Sequence, residues 1–487
     1  MTIWGISALS HDAALAVVDG DRVVFAAHSE RYSRRKNDAE LNPLLIEDAL
    51  RFGQPSDVVW YERPLVKKLR HLRAGQYGLA FSAADLPRRY LRRFDALRDC
   101  RFHTVGHHAS HAAAGYWTSG FDDACVITAD GIGEWDCMTV GSFRQGVHRH
   151  HRRIRYPHSL GLLYSAFTRR CGFKANEEEF ILMGLAGFGE PRHADAIHRD
   201  LIERTDGGYR LRHNVHRGIG DWLPDARPED LAASIQTVTE DVLVDIARWG
   251  RRATGSGNLV LMGGVALNCV ANSRIAREAG FDEVSIFPNP GDAGSSIGAA
   301  AAHLGRPLHW DGPYLGTAID RPYEHRAILE RLLDGEVVGV ANGRAEFGPR
   351  ALGNRSLLCD PRGEEVQDKV NRIKGREPFR PFAPAVLEEH AHDYFELPVK
   401  RSPWMQFVAR CKRPDLFPAI THVDGTSRVQ TVSRSSHPEF YDLISAFHRR
   451  TGCPMLLNTS LNIKGQPLVN TWEDARAFRA DTGVEVL

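Results

Sequence analysis

Paired cysteines are missing from this chain of 487 residues. Its eight cysteines are scattered singly, and no two of them stand in a CxxC spacing. This distribution is not that of a zinc ribbon or a disulfide framework, and it favours a reduced, cytoplasmic setting. Long apolar runs are missing too, since "GSGNLVLMGGVALNCVANS" is broken by glycine and asparagine, so we expect no membrane span. The opening "MTIWGISALSHDAALAVVDG" carries no basic n-region, and we expect no signal peptide.

The sequence also lacks an excess of charge of one sign. Lys and Arg total 62 against 61 Asp and Glu, so no global field recruits nucleic acid, and we expect no nucleic-acid partner. Two local basic clusters, "RRYLRRFDALRDCR" (88–101) and "HRHHRRIR" (148–155), are typical of a solvated surface. With 43% hydrophobic residues, the composition is that of a globular protein with room for two or three domains.

Alternating apolar patterns indicate a duplicated α/β architecture. A strand, a hairpin turn and a second strand are predicted over 2–28, and the same pattern recurs over 122–143. A long amphipathic helix is predicted over 229–254, and two βα units follow, the first ending at Gly280 as its predicted C-cap. The Gly- and Pro-punctuated stretch 310–324 marks a boundary, beyond which a second α/β unit begins.

The stretch "VGHHASHAAAGYW" (105–117) offers two metal-binding side chains. On a helix, His107 and His111 are four apart and face the same way, although such pairs are also common as core or solvated residues. Asp292, in "NPGDAGSSIG", precedes a predicted helix and is either an N-cap or a third ligand. Two histidines and one carboxylate suit Fe(II), Mn(II) or Zn(II) better than Mg(II) alone.

Three glycine-rich turns indicate a nucleotide cleft. They are "GISALSHDAA" (5–14), "ADGIGEWD" (129–136) and "MGGVALN" (262–268), and none is a Walker A loop or a GxGxxG fingerprint. Each alone is typical of a structural turn, but together with Asp12, Asp130 and Asp292 they favour ATP. The residues predicted to contact ATP in the last two turns are Asp130, Gly131, Gly133, Gly263, Gly264 and Asn268.

The second half of the chain is locally basic. In "NRIKGREPFRPFAPAV" (371–386), Arg380 lies between Phe379 and Phe382 in a proline-stiffened, apolar context. Because a buried cation without a partner is costly, a convergent basic cluster here predicts an anionic ligand rather than a solvated face. Arginine suits the oxygens of phosphate, and lysine supplies a point charge.

Taken together, "GISALSHDAALAVVDGDRVVFAAHSERYSRRKND", "HHASHAAAGYWTSGFDDACVITADGIGE", "LMGLAGFGEP", "GGVALNCVANSRI" and "PNPGDAGSSIGAA" resemble carbamoyltransferases of the nodulation-factor and antibiotic-tailoring type. The resemblance implies a duplicated actin/sugar-kinase-type nucleotide fold over 1–315 and a YrdC-like α/β domain over 316–487. It implies ATP and a divalent metal as cofactors, Fe(II) first with Mg(II) as an accompanying ion, and carbamoyl phosphate as the donor. Carried over by motif, the metal ligands are His107, His111 and Asp292, and the phosphate and carbamoyl contacts are Arg350, Lys374, Arg380, Arg428 and Asn458.

The implied reaction carries a carbamoyl group through carbamoyl-adenylate to a small-molecule hydroxyl. We expect His11, next to Asp12, to act as a neutral base toward that hydroxyl, and Lys374 to serve carbamoyl-adenylate formation. The chain departs from the family pattern at Glu178, Glu179 and Leu461, and the sequence selects neither the acceptor nor O- over N-carbamoylation. Two other readings stay open: a tRNA threonylcarbamoylation-type enzyme, and an ATP-gated scaffold of the actin class.

Overall fold

The computed structural model describes residues 1–83, 86–377 and 379–487. The chain divides into two compact units, the first comprising Met1–Ser33 and Asn37–Asp311, and the second Arg34–Lys36 and Gly312–Leu487. The division after Asp311 falls within the Gly- and Pro-punctuated stretch of the sequence. No helix in the described ranges combines the length and the apolar character needed to cross a bilayer.

The first unit is built on two five-stranded sheets of the same design. Its strands are β1 (Thr2–Ser7), β2 (Ala14–Asp19), β3 (Arg22–His28), β4 (Asp57–Trp60), β5 (Arg101–Thr104), β6 (Asp123–Gly133), β7 (Asp136–Arg144), β8 (Val147–Arg155), β9 (Ile202–Thr205), β10 (Gly208–Leu211), β11 (Asn258–Met262) and β12 (Glu283–Ile286). One sheet has the order β3-β2-β1-β4-β5 and the other β8-β7-β6-β11-β12. In each, three antiparallel strands are followed by two parallel ones. The predicted duplicated α/β fold is therefore confirmed.

The helices of the first unit include two that pack unusually closely. They are α1 (Ser29–Ser33), α2 (Pro43–Leu50), α3 (Pro64–Arg73), α4 (Tyr77–Phe81), α5 (Pro87–Leu91), α6 (His107–Ser119), α7 (Leu160–Arg170), α8 (Glu179–Leu185), α9 (Ala194–Asp200), α10 (Pro228–Thr254), α11 (Cys269–Glu278) and α12 (Ser295–Leu304). A Cβ on Gly298 of α12 would lie 1.9 Å from the backbone oxygen of Ser110 in α6. The small residues of both helices therefore let α6 and α12 lie side by side. The sequence predicts Gly280 as the C-cap of α11, but the C-cap is the preceding residue, Ala279. Gly280 follows it with φ 82°.

The second unit is also α/β. Its strands are β13 (Tyr314–Ile319), β14 (Val338–Ala341), β15 (Gly343–Glu346), β16 (Arg355–Cys359), β17 (Ala383–Leu387), β18 (Phe395–Glu396), β19 (Val408–Cys411), β20 (Thr426–Arg428), β21 (Gln430–Val432) and β22 (Met455–Ser460), and its helices are α13 (His325–Leu333), α14 (Val366–Lys374), α15 (Ala391–Tyr394), α16 (Pro438–Thr451) and α17 (Trp472–Thr482). The main sheet has the order β14-β16-β22-β17-β21, and only its β17–β21 pair is parallel. Phe440, Phe447 and Leu456 are fully buried in its core.

Candidate functional site

Helix α6 directs two of its three histidines to one point. His107 and His111 are buried, and their Nε2 atoms lie 3.2 Å apart. His108 is turned elsewhere, with its Nδ1 3.1 Å from the hydroxyl of Thr139, and burial lowers its pKa well below the usual value. The i, i+4 spacing therefore brings together the pair that the sequence indicates.

Two carboxylates complete the cluster. Asp292 lies in a short 3-10 turn before α12, and its Oδ1 is 3.4 Å from His107 Nε2 and 3.3 Å from His111 Nε2. It does not cap α12, whose N-cap is Gly294. Asp130, near the end of β6, places Oδ2 2.9 Å from His107 Nε2 and 3.7 Å from His111 Nε2. The sequence predicts Asp130 as an ATP contact, and the structure groups its carboxylate with the candidate metal ligands, which the prediction did not include.

These four residues fit a divalent metal ion. Their donor atoms lie within 4.8 Å of one another, and the separations above bracket the edge of about 3.4 Å that a tetrahedron with bonds of about 2.1 Å would have. Two carboxylates and two neutral imidazoles carry the charge that balances a dication. The outward Nδ1 atoms of His107 and His111 are buried without a hydrogen-bond partner in the described ranges, so both rings direct their Nε2 atoms inward. Mixed nitrogen and oxygen donors suit Fe(II), Mn(II) or Zn(II).

Without a metal, protons hold this cluster together. Burial opposes protonation of His107, but Asp292 and Asp130 outweigh it and raise its pKa well above the usual value. Burial likewise opposes ionisation of Asp130, but hydrogen bonds from His107 and His111 outweigh it and hold its pKa well below the usual value. The site thus favours a positive charge between two carboxylates, and a metal ion would replace the shared protons.

The β6–β7 hairpin positions α6. Glu134, at its turn with φ 58°, accepts hydrogen bonds from the backbone N–H groups of His107 at 3.2 Å and Arg63 at 2.6 Å. This carboxylate therefore satisfies an N–H at the start of α6, where negative charge is favourable. Gly133 must be glycine, because a Cβ there would lie 2.2 Å from His107 Cδ2. The sequence identified Gly133 as a nucleotide contact and missed Glu134.

The other glycine-rich turn approaches the same strand end. A Cβ on Gly263 would lie 2.1 Å from the oxygen of Ala129, and the N–H of Gly264 points at Asp130 Oδ1 over 3.4 Å. Asn268 accepts from the N–H of Ala271 at 3.0 Å and so caps α11, a structural role that the nucleotide prediction did not include. Gly131 follows Asp130, and its oxygen accepts from Ser159 at 2.6 Å.

His11 differs from the expected neutral base. Its Nε2 lies 2.6 Å from the carbonyl oxygen of Asn176, and its Nδ1 lies 3.1 Å from Asp12 Oδ2. Both partners accept protons, so both ring nitrogens donate, and the hydrogen bond with Asp12 raises the pKa of His11 to about 10. The departures at Glu178 and Glu179 build this arrangement, because they accept from the N–H groups of Lys174 and Asn176 and order the loop that meets His11.

The second unit contains a separate cluster of cations. The ammonium of Lys374 is buried and donates to the Ser460 hydroxyl at 3.2 Å and to both the carbonyl and the side-chain oxygen of Asn462 at 2.9 Å. No carboxylate pairs with it in the described part of the chain. Burial, followed by the charges of Arg376 and Arg380, lowers its pKa well below the usual value.

Arg376 is the centre of this cluster, and it is not among the anion contacts predicted from the sequence. Its guanidinium stacks 3.9 Å from the ring centre of Phe382, and burial, Arg380 and Arg428 lower its pKa to about 8. Glu377 offsets part of the charge through Arg380, at 3.2 Å. Because arginine does not give up its proton, the cluster is left with excess positive charge, as expected of an anion site.

The remaining predicted residues of this unit lie around a neighbouring loop. Asn458 on β22 donates to the oxygen of Ala351 at 3.1 Å, and its own Oδ1 is buried without a partner among the residues described. Arg350 lies in the same loop, which Glu346 fixes by accepting from three backbone N–H groups, those of Leu352, Asn354 and Arg355. Leu461, a departure from the family pattern, is fully buried in the core.

Comparisons with known proteins bear on the family of the chain. The family model described as carbamoyltransferase N-terminus matches residues 83–301, and that described as carbamoyltransferase C-terminus matches residues 329–487. Nodulation protein NolNO of Sinorhizobium fredii is 36% identical, over 96% of this chain and 76% of that protein. A 3'-hydroxymethylcephem-O-carbamoyltransferase of Amycolatopsis lactamdurans is 31% identical, over 97% of this chain and 95% of that protein. Among solved structures, full-length HypF in its phosphate- and nucleotide-bound form is 16% identical with a TM-score of 0.37, over 62% of this chain and 46% of that one.

Proposed function

The chain belongs to the carbamoyltransferase family, and from that premise we propose that it carries a carbamoyl group from carbamoyl phosphate, through carbamoyl-adenylate made with ATP, to a hydroxyl of a small natural product. Its relatives include an enzyme named for O-carbamoylation of a hydroxymethylcephem, which supports a hydroxyl acceptor. The acceptor class is drawn from that relative.

The cation cluster of the second unit, with the buried Lys374, supports the first half of the reaction. Carbamoyl phosphate loses phosphate by cleavage of its C–O–P linkage with water, a carbamate oxygen attacks the α-phosphorus of ATP, and pyrophosphate leaves. Carbamoyl phosphate, carbamate and ATP are all anionic, so their oxygens would supply the negative charge that Lys374 and Arg376 otherwise lack. This uncompensated buried charge is the observation that carries the proposal.

The first unit would perform the transfer. His107, His111, Asp130 and Asp292 would hold a divalent ion that, when bound, neutralises phosphate oxygens and polarises a carbonyl. The acceptor oxygen attacks the carbonyl carbon of carbamoyl-adenylate, and the bond to the AMP oxygen breaks. His11 would take the acceptor proton, but only after it loses the proton that it shares with Asp12 or Asn176.

The first test omits the acceptor. Purified enzyme is incubated with ATP, Fe(II) and carbamoyl phosphate, and carbamoyl-AMP and pyrophosphate are followed by mass spectrometry. We expect formation that depends on carbamoyl phosphate and is lost in Lys374→Glu and in the neutral Lys374→Met. Arg372→Glu, on the exposed side of the same helix, should retain it.

Two results would contradict the proposal. Equal product from wild type and both Lys374 variants would remove the second unit from the chemistry. Product that requires threonine and bicarbonate instead of carbamoyl phosphate would favour a tRNA threonylcarbamoylation-type enzyme.

A further inference from the structure

A second cluster of histidines and a carboxylate lies apart from the four-residue metal cluster. Asp57, His103 and His303 offer donor atoms that all lie within 4.8 Å of one another. His103 Nε2 is 2.9 Å from Asp57 Oδ1, and the two imidazole rings have centroids 4.3 Å apart. His303 is eight residues after Ser295 in α12, so a helix rise of about 12 Å separates it from the end of α12 next to Asp292.

The fold brings these three residues together from distant parts of the chain. Asp57 begins β4, and its register partner on the parallel strand β5 is Arg101. His103, two residues further along β5, lies on the same face as Arg101, so both reach Asp57. His303 enters from the last turn of α12.

Arg101 orients the carboxylate of Asp57 but leaves it able to accept further hydrogen bonds. Its Nε and Nη2 each donate at 2.8 Å, one to each oxygen of Asp57, and Ser56 donates to Oδ2 at 2.8 Å. A carboxylate accepts in about four directions, and the fourth is the one shared with His103. A metal ion that replaced this single proton would bind Asp57 Oδ1 and His103 Nε2 with no other hydrogen bond broken.

His303 has the chemistry of a ligand. A neutral imidazole offers a nitrogen lone pair to a metal ion, and the ring of His303 lies beside that of His103, the other imidazole of the cluster. Two imidazoles this close cannot both be cations at little cost, whereas a shared metal ion makes their proximity favourable. Both rings are partly exposed, so water can fill the remaining coordination positions.

We propose that Asp57, His103 and His303 form a second binding site for a divalent transition metal of the zinc class. Nitrogen and oxygen donors in this ratio suit Zn(II), Co(II) or Ni(II) rather than Ca(II) or Mg(II). The ion would tie β5 to the end of α12, and its uptake would release the proton now held between His103 and Asp57.

The test counts zinc on the intact protein. Metal-free protein is loaded with Zn(II), desalted and assayed by atomic emission, and the dissociation constants are measured by calorimetry. We expect two zinc ions per chain for wild type and one for His303→Gln, whose affinity at this site should fall at least tenfold. His309→Gln removes an exposed histidine that also pairs with a carboxylate, Asp311, and should keep two.

A second variant separates this site from the four-residue cluster. His111→Ala should lose one zinc ion and keep the one that depends on His303. Two ions retained by His303→Gln, or a second equivalent too weak to survive desalting in wild type, would overturn the proposal. His303→Gln should form carbamoyl-adenylate at the wild-type rate.

Discussion

Phosphate should stabilise this protein through the cation cluster of the second unit. Replacing Arg376 with Gln removes a partly buried guanidinium whose hydrogen bonds to a bound anion would be charge-assisted and worth about 1.5–3 kcal/mol. At phosphate about 100-fold above its dissociation constant, wild type should gain about 2.7 kcal/mol in free energy of unfolding. That gain corresponds to an increase of about 5–11 °C in the melting temperature of a unit of this size.

The same phosphate concentration should stabilise Arg376→Gln much less. A loss of about 1.5–3 kcal/mol weakens binding roughly tenfold to hundredfold, which leaves a gain of about 0.4–1.4 kcal/mol. Scanning calorimetry with and without phosphate, at matched ionic strength, measures both differences, so the variant's own stability cancels. Arg372→Gln, an exposed arginine on α14, the helix that ends two residues before Arg376, should keep the full gain. Equal gains in all three proteins would show a general salt effect and refute an anion site at Arg376.

The sign of the pH dependence follows from Lys374. Burial and the neighbouring arginines hold its pKa below the usual value, so the ammonium form is less favoured in the free protein than in an exposed lysine. A bound anion favours that form, and binding therefore takes up a proton wherever Lys374 is neutral. The stabilisation by sulfate, whose own charge is constant from about pH 6 to 9, should thus decline as pH rises through the lowered pKa. Lys374→Met should remove this decline, and a decline that persists in it would assign the titration to another group.

Other outcomes follow from the first unit and from the core. Asp130→Asn should weaken divalent-metal binding more than about tenfold while the far-ultraviolet dichroism is unchanged, and full retention of iron after desalting would contradict its place among the ligands. Gly133→Ala should also weaken metal binding, measured in the same way, because its Cβ would displace His107. Arg355→Met should lower the free energy of unfolding, measured by urea denaturation, by about 3–5 kcal/mol, because the buried guanidinium of Arg355 donates to several backbone carbonyls. A loss below about 1 kcal/mol would contradict this. The rate of the transfer step should rise about tenfold per pH unit between about pH 7 and 9, because the pKa of His11 is about 10 and the reaction requires its base form. A pH-independent rate would assign the proton acceptor to another group.

The duplicated sheet could be predicted because its signals are local. Each copy begins with a hairpin of apolar strands, and the turn residues between the strands are adjacent in the sequence. The i, i+4 pair of α6 is equally local, since helix geometry alone places His107 and His111 on one face. Asp292 could be added to the predicted metal ligands because a glycine-bounded carboxylate before a helix has few structural roles. Capping the helix is the main one.

Residues whose role depends on distant parts of the chain could not be predicted in this way. The sequence predicts Asp130 as a nucleotide contact but does not connect it with His107, because only the folded chain shows that the end of β6 lies against α6. Arg376 lies in the basic stretch 371–386, but no local pattern distinguishes it from its neighbouring arginines, whereas its stacking on Phe382 does. For His11, the main cause of the raised pKa is the adjacent Asp12, but the carbonyl that accepts from its Nε2 belongs to Asn176, and no local pattern connects His11 with Asn176.

The two clusters differ in the sign of the charge that each lacks. In the first unit, Asp130 and Asp292 hold protons on His107 and His111 that a dication would replace, so this site is completed by positive charge. In the second unit, burial and the neighbouring cations disfavour the positive charges of Lys374 and Arg376. A bound anion would offset both effects, so that site is completed by negative charge. A chemistry that begins with an anionic donor and a nucleotide, and then stabilises phosphate oxygens during transfer, needs one site of each kind. It follows that phosphate should stabilise the protein when His111 is replaced by Ala, and that iron should bind when Lys374 is replaced by Met, because each site depends on charges within its own unit.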